Sequence, residues 1–373
     1  MYPVSPHPDH ALGWADGSRR TYRRAVTHLT RRLPVLAAAL ALALPLLPGT
    51  GPAHAASAPQ TISSGRTIPW GTAFLPDGTA LFTERGSKRV WEAKPGRAAQ
   101  VVYTVTAARP QGEGGLLGIA VAPDYARNPR FFVYYTTGSD NRVAVVRRGS
   151  SARPQPIVTG IPRGSTHNGG RIVFDRDGYL WVGTGDAGDR SRSQDLSSLA
   201  GKVLRVDTRG RAAPGNRAGL IYSYGHRNVQ GLAQDRTGRM WASELGQNTQ
   251  DEVNLLQAGG NYGWPLVEGR SDDAHFVAPK WTWRPEEASP SGMTVVGDSL
   301  YVAALRGQRV WRLRFSGTTI SSATPLLRGT YGRVRDVARN PKDGSVWLLT
   351  SNNGLYGAPR PGDDRVLRFA RFP

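Results

Sequence analysis

GRIVFDRDGYLWVGTGD, residues 170–186, decides the fold. A short apolar run, Ile172 to Phe174, meets the turn Asp175-Arg176-Asp177-Gly178, and a second apolar and aromatic run follows from Tyr179 to Val182. Two runs this short around an Asp/Gly turn form a β-hairpin. The outline recurs as GTAFLPDGTALFTE at 71–84 and GIAVAPDYARNPRFFVYYT at 118–136. It returns as GLAQDRTGRMWASELG at 231–246, GMTVVGDSLYVAAL at 292–305 and RDVARNPKDGSVWLLTS at 335–351. A spacing of about 45 to 60 residues is that of propeller blades. One hairpin cannot bury both its faces, whereas blades packed radially can. The six copies therefore predict an all-β, six-bladed β-propeller over residues 56–373. A β-sandwich with irregular loops is the competing architecture, and the regularity of the repeats speaks against it. In a propeller the tops of the innermost strands surround one cavity, where residues remote in sequence meet.

Composition supports this class. A hydrophobic share of 39% with 45 Gly and 27 Pro suits a turn-rich β protein better than a helical one. The absence of cysteine excludes disulfides, thiolate metal sites and cysteine nucleophiles. A net charge of +20 raises the question of nucleic acid. The arginines are spread along the whole chain and accompany no nucleic-acid-binding motif, so they are read as a basic, soluble surface with no nucleic-acid partner.

At the N-terminus, Arg19, Arg20, Arg23, Arg24, Arg31 and Arg32 precede an apolar run from Leu33 to Leu47, and Ala53-His54-Ala55 follows. A basic region, an apolar region and a small-x-small site make an export signal. Residues 1–55 are expected to be removed by cleavage after Ala55, which makes the protein secreted. The run falls short of the roughly 20 residues that span a bilayer, so no stable membrane anchor is expected. Thr30-Arg31-Arg32 leaves both the twin-arginine and the general secretory routes open.

Three segments carry the polar residues of a candidate site. Thr166-His167-Asn168-Gly169-Gly170 leads into one inner strand, and Gly183-Thr184-Gly185-Asp186 closes the strand paired with it. Pairing brings His167 and Asp186 to the same blade top. A carboxylate on one ring nitrogen fixes the tautomer and raises the basicity of the other, which makes a general base. Gly225-His226-Arg227-Asn228-Val229-Gln230-Gly231 is a polar run abutting the next inner strand, where a bound ligand or ion would satisfy its donors. Ser243-Glu244-Leu245-Gly246-Gln247-Asn248, with Asp251-Glu252-Val253-Asn254 and Gly259 to Pro265, is rich in oxygen ligands of the kind calcium takes. EF-hand, HExxH, GxSxG and phosphate-loop patterns are absent.

Taken in order, EGGLLGIAVAPDY, HNGGR…GTGD, GHRNVQG, SELGQN…DEVN, GGNYGWP and RVRD cover nearly the whole chain after the leader. Together they resemble the soluble glucose and sorbosone dehydrogenases, six-bladed propellers that use pyrroloquinoline quinone (PQQ) and calcium. The resemblance implies oxidation of an aldose sugar at its C1 hydroxyl, with electrons passed on to an acceptor that the sequence does not identify. It makes His167 the base, Asp186 its orienting carboxylate and Arg227 a catalytic contact near the reactive carbonyl. His167, Arg227, Asn228, Arg306, Arg333 and Arg335 become cofactor contacts. Glu113 joins them, standing where some members have Gln. The carbonyls of Gly246 and Gln247 fall where the family holds the cofactor's calcium, Gln247 replacing a frequent Pro. A second calcium is implied at the Glu268 and Arg270 carbonyls with Asp272 and Asp298. Two alternatives stay open on the residues alone: a non-catalytic binding propeller, and a calcium-dependent lactone hydrolase that works without quinone.

The leader yields the first prediction. Protein recovered from the culture medium should begin at or close to Ala56. A mature N-terminus at residue 1 would show that the segment is not a cleaved signal.

Overall fold

A computed structural model describes residues 58–373, and the expected leader, 1–55, lies outside them. The described chain forms six four-stranded antiparallel sheets. Blades 1 to 5 occupy residues 69–104, 116–161, 172–224, 229–283 and 290–326, each with its strands in sequence order. Blade 6 uses both ends of the chain. Its strands Val334–Arg339, Val346–Thr350 and Val366–Phe369 are completed by Gln60–Ser63, which pairs with the last of them. The all-β, six-bladed propeller expected from the repeats is the observed fold. The expected sixth repeat supplied two strands of its blade, and the structure adds Val366–Phe369 and the closing strand Gln60–Ser63.

The second strand of each blade is buried on both faces, which explains its near-continuous apolar sequence. In Arg130–Thr136, Phe132 and Tyr134 pack toward blade 3, whereas Phe131, Val133 and Tyr135 pack toward blade 1. Successive side chains of a strand point to opposite faces, so one strand serves two interfaces. The buried apolar residues accordingly divide into six clusters, one at each junction of neighbouring blades. The hairpin turns are fixed by their aspartates. Asp175 accepts the Trp181 indole N–H at 2.8 Å, and Asp235 accepts that of Trp241 at 3.0 Å.

The glycines that open the repeats line the axis, where the inner strands crowd. A Cβ on Gly118 would lie 2.2 Å from the Gly170 carbonyl oxygen, and one on Gly292 would lie 1.8 Å from Asp336 Oδ1. Asp336 forms a buried ion pair with Arg171 (Nη1–Oδ1, 3.1 Å) across this centre. Arg171 Nε also donates to the Gln230 carbonyl at 2.8 Å, and its guanidinium lies over the Trp70 ring. The second oxygen of Asp336 accepts the Thr72 N–H at 2.8 Å. Blades 1, 3, 4 and 6 are thereby tied at the axis. Burial raises the Asp336 pKa and lowers that of Arg171; the attraction between the two counters only part of each effect.

Removing one partner leaves the other charged and buried. Asp336→Ala should cost about 3–5 kcal/mol of stability in urea unfolding, and Arg171→Met/Asp336→Ala should cost less than the sum of its single variants. Additive losses would mean that the two charges do not depend on each other.

Candidate active site at the propeller top

The strand ends opposite the hairpin turns surround a cavity of ≈ 420 Å³ on the axis. Trp70, Arg85, Glu113, Asn168, Gly169 and Gln230 line one part of it. Arg306, Arg333, Arg335 and the segment Gly354–Tyr356 line another. Arg85, Leu245, Leu305 and Ser351 occupy the same place in their blades, the residue after the second strand.

His167 precedes the cavity residues Asn168 and Gly169, and its N–H donates to Glu113 Oε2 at 2.8 Å. Its Nδ1 lies 2.7 Å from Asp186 Oδ1. That oxygen also accepts the Gly188 N–H at 2.8 Å, and Oδ2 accepts the Trp264 indole N–H at 2.9 Å. Burial raises the Asp186 pKa, but the hydrogen bonds from His167, Gly188 and Trp264 outweigh it and hold the carboxyl below its ordinary range. The ionised carboxylate fixes the proton on Nδ1. Nε2 has no hydrogen-bond partner among the described residues, and the His167 side chain is 19% exposed against 2% for Asp186. A reachable imidazole nitrogen backed by a buried carboxylate is equipped to accept a proton. The pair forms because the strands flanking it belong to one hairpin. Gly185 permits the contact, since a Cβ there would lie 1.9 Å from the His167 carbonyl oxygen.

Arg227 lies beside this pair. Its backbone carbonyl accepts the Asp186 N–H at 2.8 Å, and its Nη1 donates to the Leu245 carbonyl at 3.1 Å. The guanidinium sits over Trp264, and Nε has no partner. Asn228 is buried and uses Oδ1 to accept the Gly169 N–H at 3.0 Å, which ties the histidine loop to blade 4.

The cavity arginines have no carboxylate partners. Among the described residues, Arg85, Arg306, Arg333 and Arg335 make no ion pair within 4.0 Å, and Glu113 is the one acidic residue in the lining. Arg335 donates to Gln230 Oε1 at 2.6 Å and leaves Nε unpartnered. Burial, reinforced by Arg333 and Arg85, pulls its pKa down to about 9. A guanidinium remains charged, so the depression expresses an unmet demand for an anion.

The loop after the second strand of blade 4 is organised by carboxylates. Glu268 Oε1 accepts the N–H groups of Gln247, Asn248, Thr249 and Gln250 at 2.7–3.1 Å. Asp251 Oδ1 accepts that of Gly246 at 2.9 Å. The Gly246 and Gln247 carbonyls accept no hydrogen bond from the described residues. Among those residues no three acidic or histidine side chains converge as a metal cage. A cation here would therefore rest on these carbonyls and on oxygens of a bound cofactor. Hard carbonyl oxygens suit calcium.

The expected second calcium set is not brought together. Glu268, Arg270 and Asp272 share one loop, with Arg270 and Asp272 exposed. Asp298 stands in the hairpin turn of blade 5, away from the Ser289–Leu305 end that meets the cavity. One strand length, roughly 20 Å, separates the two ends. Asp298 there pairs with Arg314 at 3.2 Å. It does not belong with the other three. Arg85 was missed by sequence reading, although register with Leu245, Leu305 and Ser351 marks it as a cavity position; Gln230 lay in the polar run 225–231 but was given no role.

The glucose/sorbosone dehydrogenase family model matches residues 66–356. The aldose sugar dehydrogenase YliI of Escherichia coli K12 is 32% identical over 329 residues, 76% of this chain and 87% of its own. The PQQ-bound aldose sugar dehydrogenase of Streptomyces coelicolor is 44% identical, with 83% of this chain and 96% of that one covered at a TM-score of 0.79. The soluble aldose sugar dehydrogenase of Escherichia coli, in its apo form, is 26% identical, with 83% and 98% covered at 0.75. The match over most of the propeller, in a chain with this site, shows that the protein belongs to the glucose/sorbosone dehydrogenase family.

Proposed function

We propose that the protein is a secreted quinoprotein that oxidises the C1 hydroxyl of aldose sugars to lactones, using calcium-bound PQQ and passing electrons to an external acceptor. The observation that carries this reading is the His167–Asp186 pair beside a cavity whose arginines lack counter-anions. A planar tricarboxylate fits that cavity: forked guanidinium groups suit carboxylates, and the unpartnered Nε atoms of Arg335, Arg227 and Arg85 are donors awaiting acceptors. Arg333 and Arg335, with Arg85 and Arg306, would hold the cofactor, and the Gly246 and Gln247 carbonyls would hold its calcium. When bound, PQQ supplies the two-electron acceptor for hydride from the sugar, and calcium polarises it.

The chain's own residues supply the rest. His167 Nε2 takes the proton of the C1 hydroxyl as hydride leaves the same carbon. Asp186 keeps Nδ1 protonated and stabilises the imidazolium that results. Arg227 stabilises the negative charge that develops opposite the sugar. A binding propeller has no use for a reachable imidazole nitrogen aligned by a buried carboxylate.

The test is reconstitution of purified protein with PQQ and calcium, followed by single-turnover reduction with an aldose. Wild-type protein should react, and a calcium chelator should abolish the reaction. His167→Ala should bind cofactor but lose about 10²–10⁴-fold in rate, with Asp186→Asn similarly slow. Wild-type rates in His167→Ala at full cofactor occupancy would remove His167 from the mechanism. Absence of any quinone-dependent reaction in wild-type protein would remove the dehydrogenase reading.

Cofactor affinity provides a separate prediction. Arg335→Ala should weaken PQQ binding by about 1.5–3 kcal/mol, the range for a charged hydrogen bond, as measured by fluorescence titration. An unchanged dissociation constant would place Arg335 outside the cofactor site.

A further inference from the structure

Resemblance makes Glu113 a cofactor contact, but its carboxylate is already engaged by the protein. Oε2 accepts the His167 backbone N–H at 2.8 Å, and the Glu113 N–H donates to the Ser165 carbonyl at 2.8 Å. These bonds run in opposite directions between the loop leading into blade 2 and the loop that carries the histidine. Gly112 allows the approach: its φ is 56°, and a Cβ there would lie 2.1 Å from Ser165 O. Arg85 Nη1 donates to the Gly112 carbonyl and braces the same loop.

His167 needs such a brace. Its φ is 53°, in the left-handed region that costs a residue with a side chain. A residue stays there only when its surroundings over-determine it. Asp186 holds the ring, whereas Glu113 holds the main chain.

We infer that Glu113 is a positioning residue for His167: its carboxylate oxygen fixes the left-handed backbone that sets the direction of the imidazole. The importance of that direction for turnover rests on the function proposed above; the contact itself does not. The task requires an acceptor and not a charge. In a cavity suited to a polycarboxylate, the negative charge of Glu113 opposes cofactor binding, and Arg85, Arg227 and Arg335 are near enough to offset it. Acceptor and charge are therefore separable by substitution.

Glu113→Gln keeps an acceptor oxygen at the same reach and removes the charge. Glu113→Asp keeps the charge and shortens the reach, and Glu113→Ala removes both. In PQQ- and calcium-loaded protein, Glu113→Gln should react with glucose in a single turnover within about threefold of wild type, while Glu113→Ala and Glu113→Asp fall by about tenfold or more. PQQ affinity, by fluorescence titration, should be equal or tighter in Glu113→Gln and Glu113→Ala. Nuclear magnetic resonance of the cofactor-free protein gives a readout independent of activity. The His167 imidazole signals, assigned by their loss in His167→Asn, should be retained in Glu113→Gln and displaced in Glu113→Asp. A Gln variant as slow as the Asp variant would overturn the inference, as would an Asp variant with unchanged rate and imidazole signals. Should wild-type protein oxidise no sugar, the functional proposal fails and the imidazole signals still decide the positioning role. Should Glu113→Ala not fold, the Gln and Asp variants carry the comparison.

Discussion

The Arg171–Asp336 pair sits where the inner strands converge, and the cavity above depends on how its charges are spent. Asp336 gives one oxygen to Arg171 and the other to the Thr72 N–H. Among the described residues it makes no ion pair with Arg335, its neighbour in sequence, whose side chain leaves the strand on the opposite face. A buried ion pair is by itself weak evidence of net stabilisation, because desolvation offsets much of the attraction. Its value here is geometric: one guanidinium reaches blades 4 and 6 and covers the Trp70 ring of blade 1. The small residues around it follow from that crowding.

Because the axis consumes its own acid, the level above is left with cations. Arg85, Arg333 and Arg335 face the cavity without carboxylate partners, and Arg335 feels the other two as like charges. A protein stable only for its own sake would pair or exclude such groups. Apart from Glu113 in the lining, the nearby carboxylates are committed elsewhere: Asp186 to His167, Glu268 to four backbone N–H groups, Asp251 to Gly246 and Ser289. Each anchors a loop, and none neutralises the cavity. Cationic walls and loops held by carboxylates are parts of one arrangement, in which acidic groups place the backbone and basic groups face the cavity.

Much of this was legible in the sequence because blade periodicity is a local signal. Two apolar runs and an Asp/Gly turn are enough to mark a hairpin, and six of them mark the ring. His167 and Asp186 were readable as a pair because strands of one hairpin carry them. Asp298 was misplaced because resemblance alone assigned it to the calcium set; only the strand register shows it in a hairpin turn at the other end of its blade. Gln60–Ser63 went unseen because its four residues have a partner some three hundred positions away in sequence. Glu113 entered only through the resemblance, as a cofactor contact, and its bond to a backbone N–H leaves no trace in the pattern of side chains.

That distant pairing bears on how the molecule comes into being. Gln60 stands opposite Arg368, so the ring closes only when segments some three hundred positions apart in sequence meet. Long-range pairing of this kind slows folding, because chain entropy is lost before the contact returns anything. Until then blades 1 and 6 present unprotected flanks, including Phe82 and Trp347, which the finished ring buries completely. A chain whose ring has not yet closed is thus an open arc with adhesive ends. Such an arc stays free of aggregation only where its two ends find each other before they find another copy.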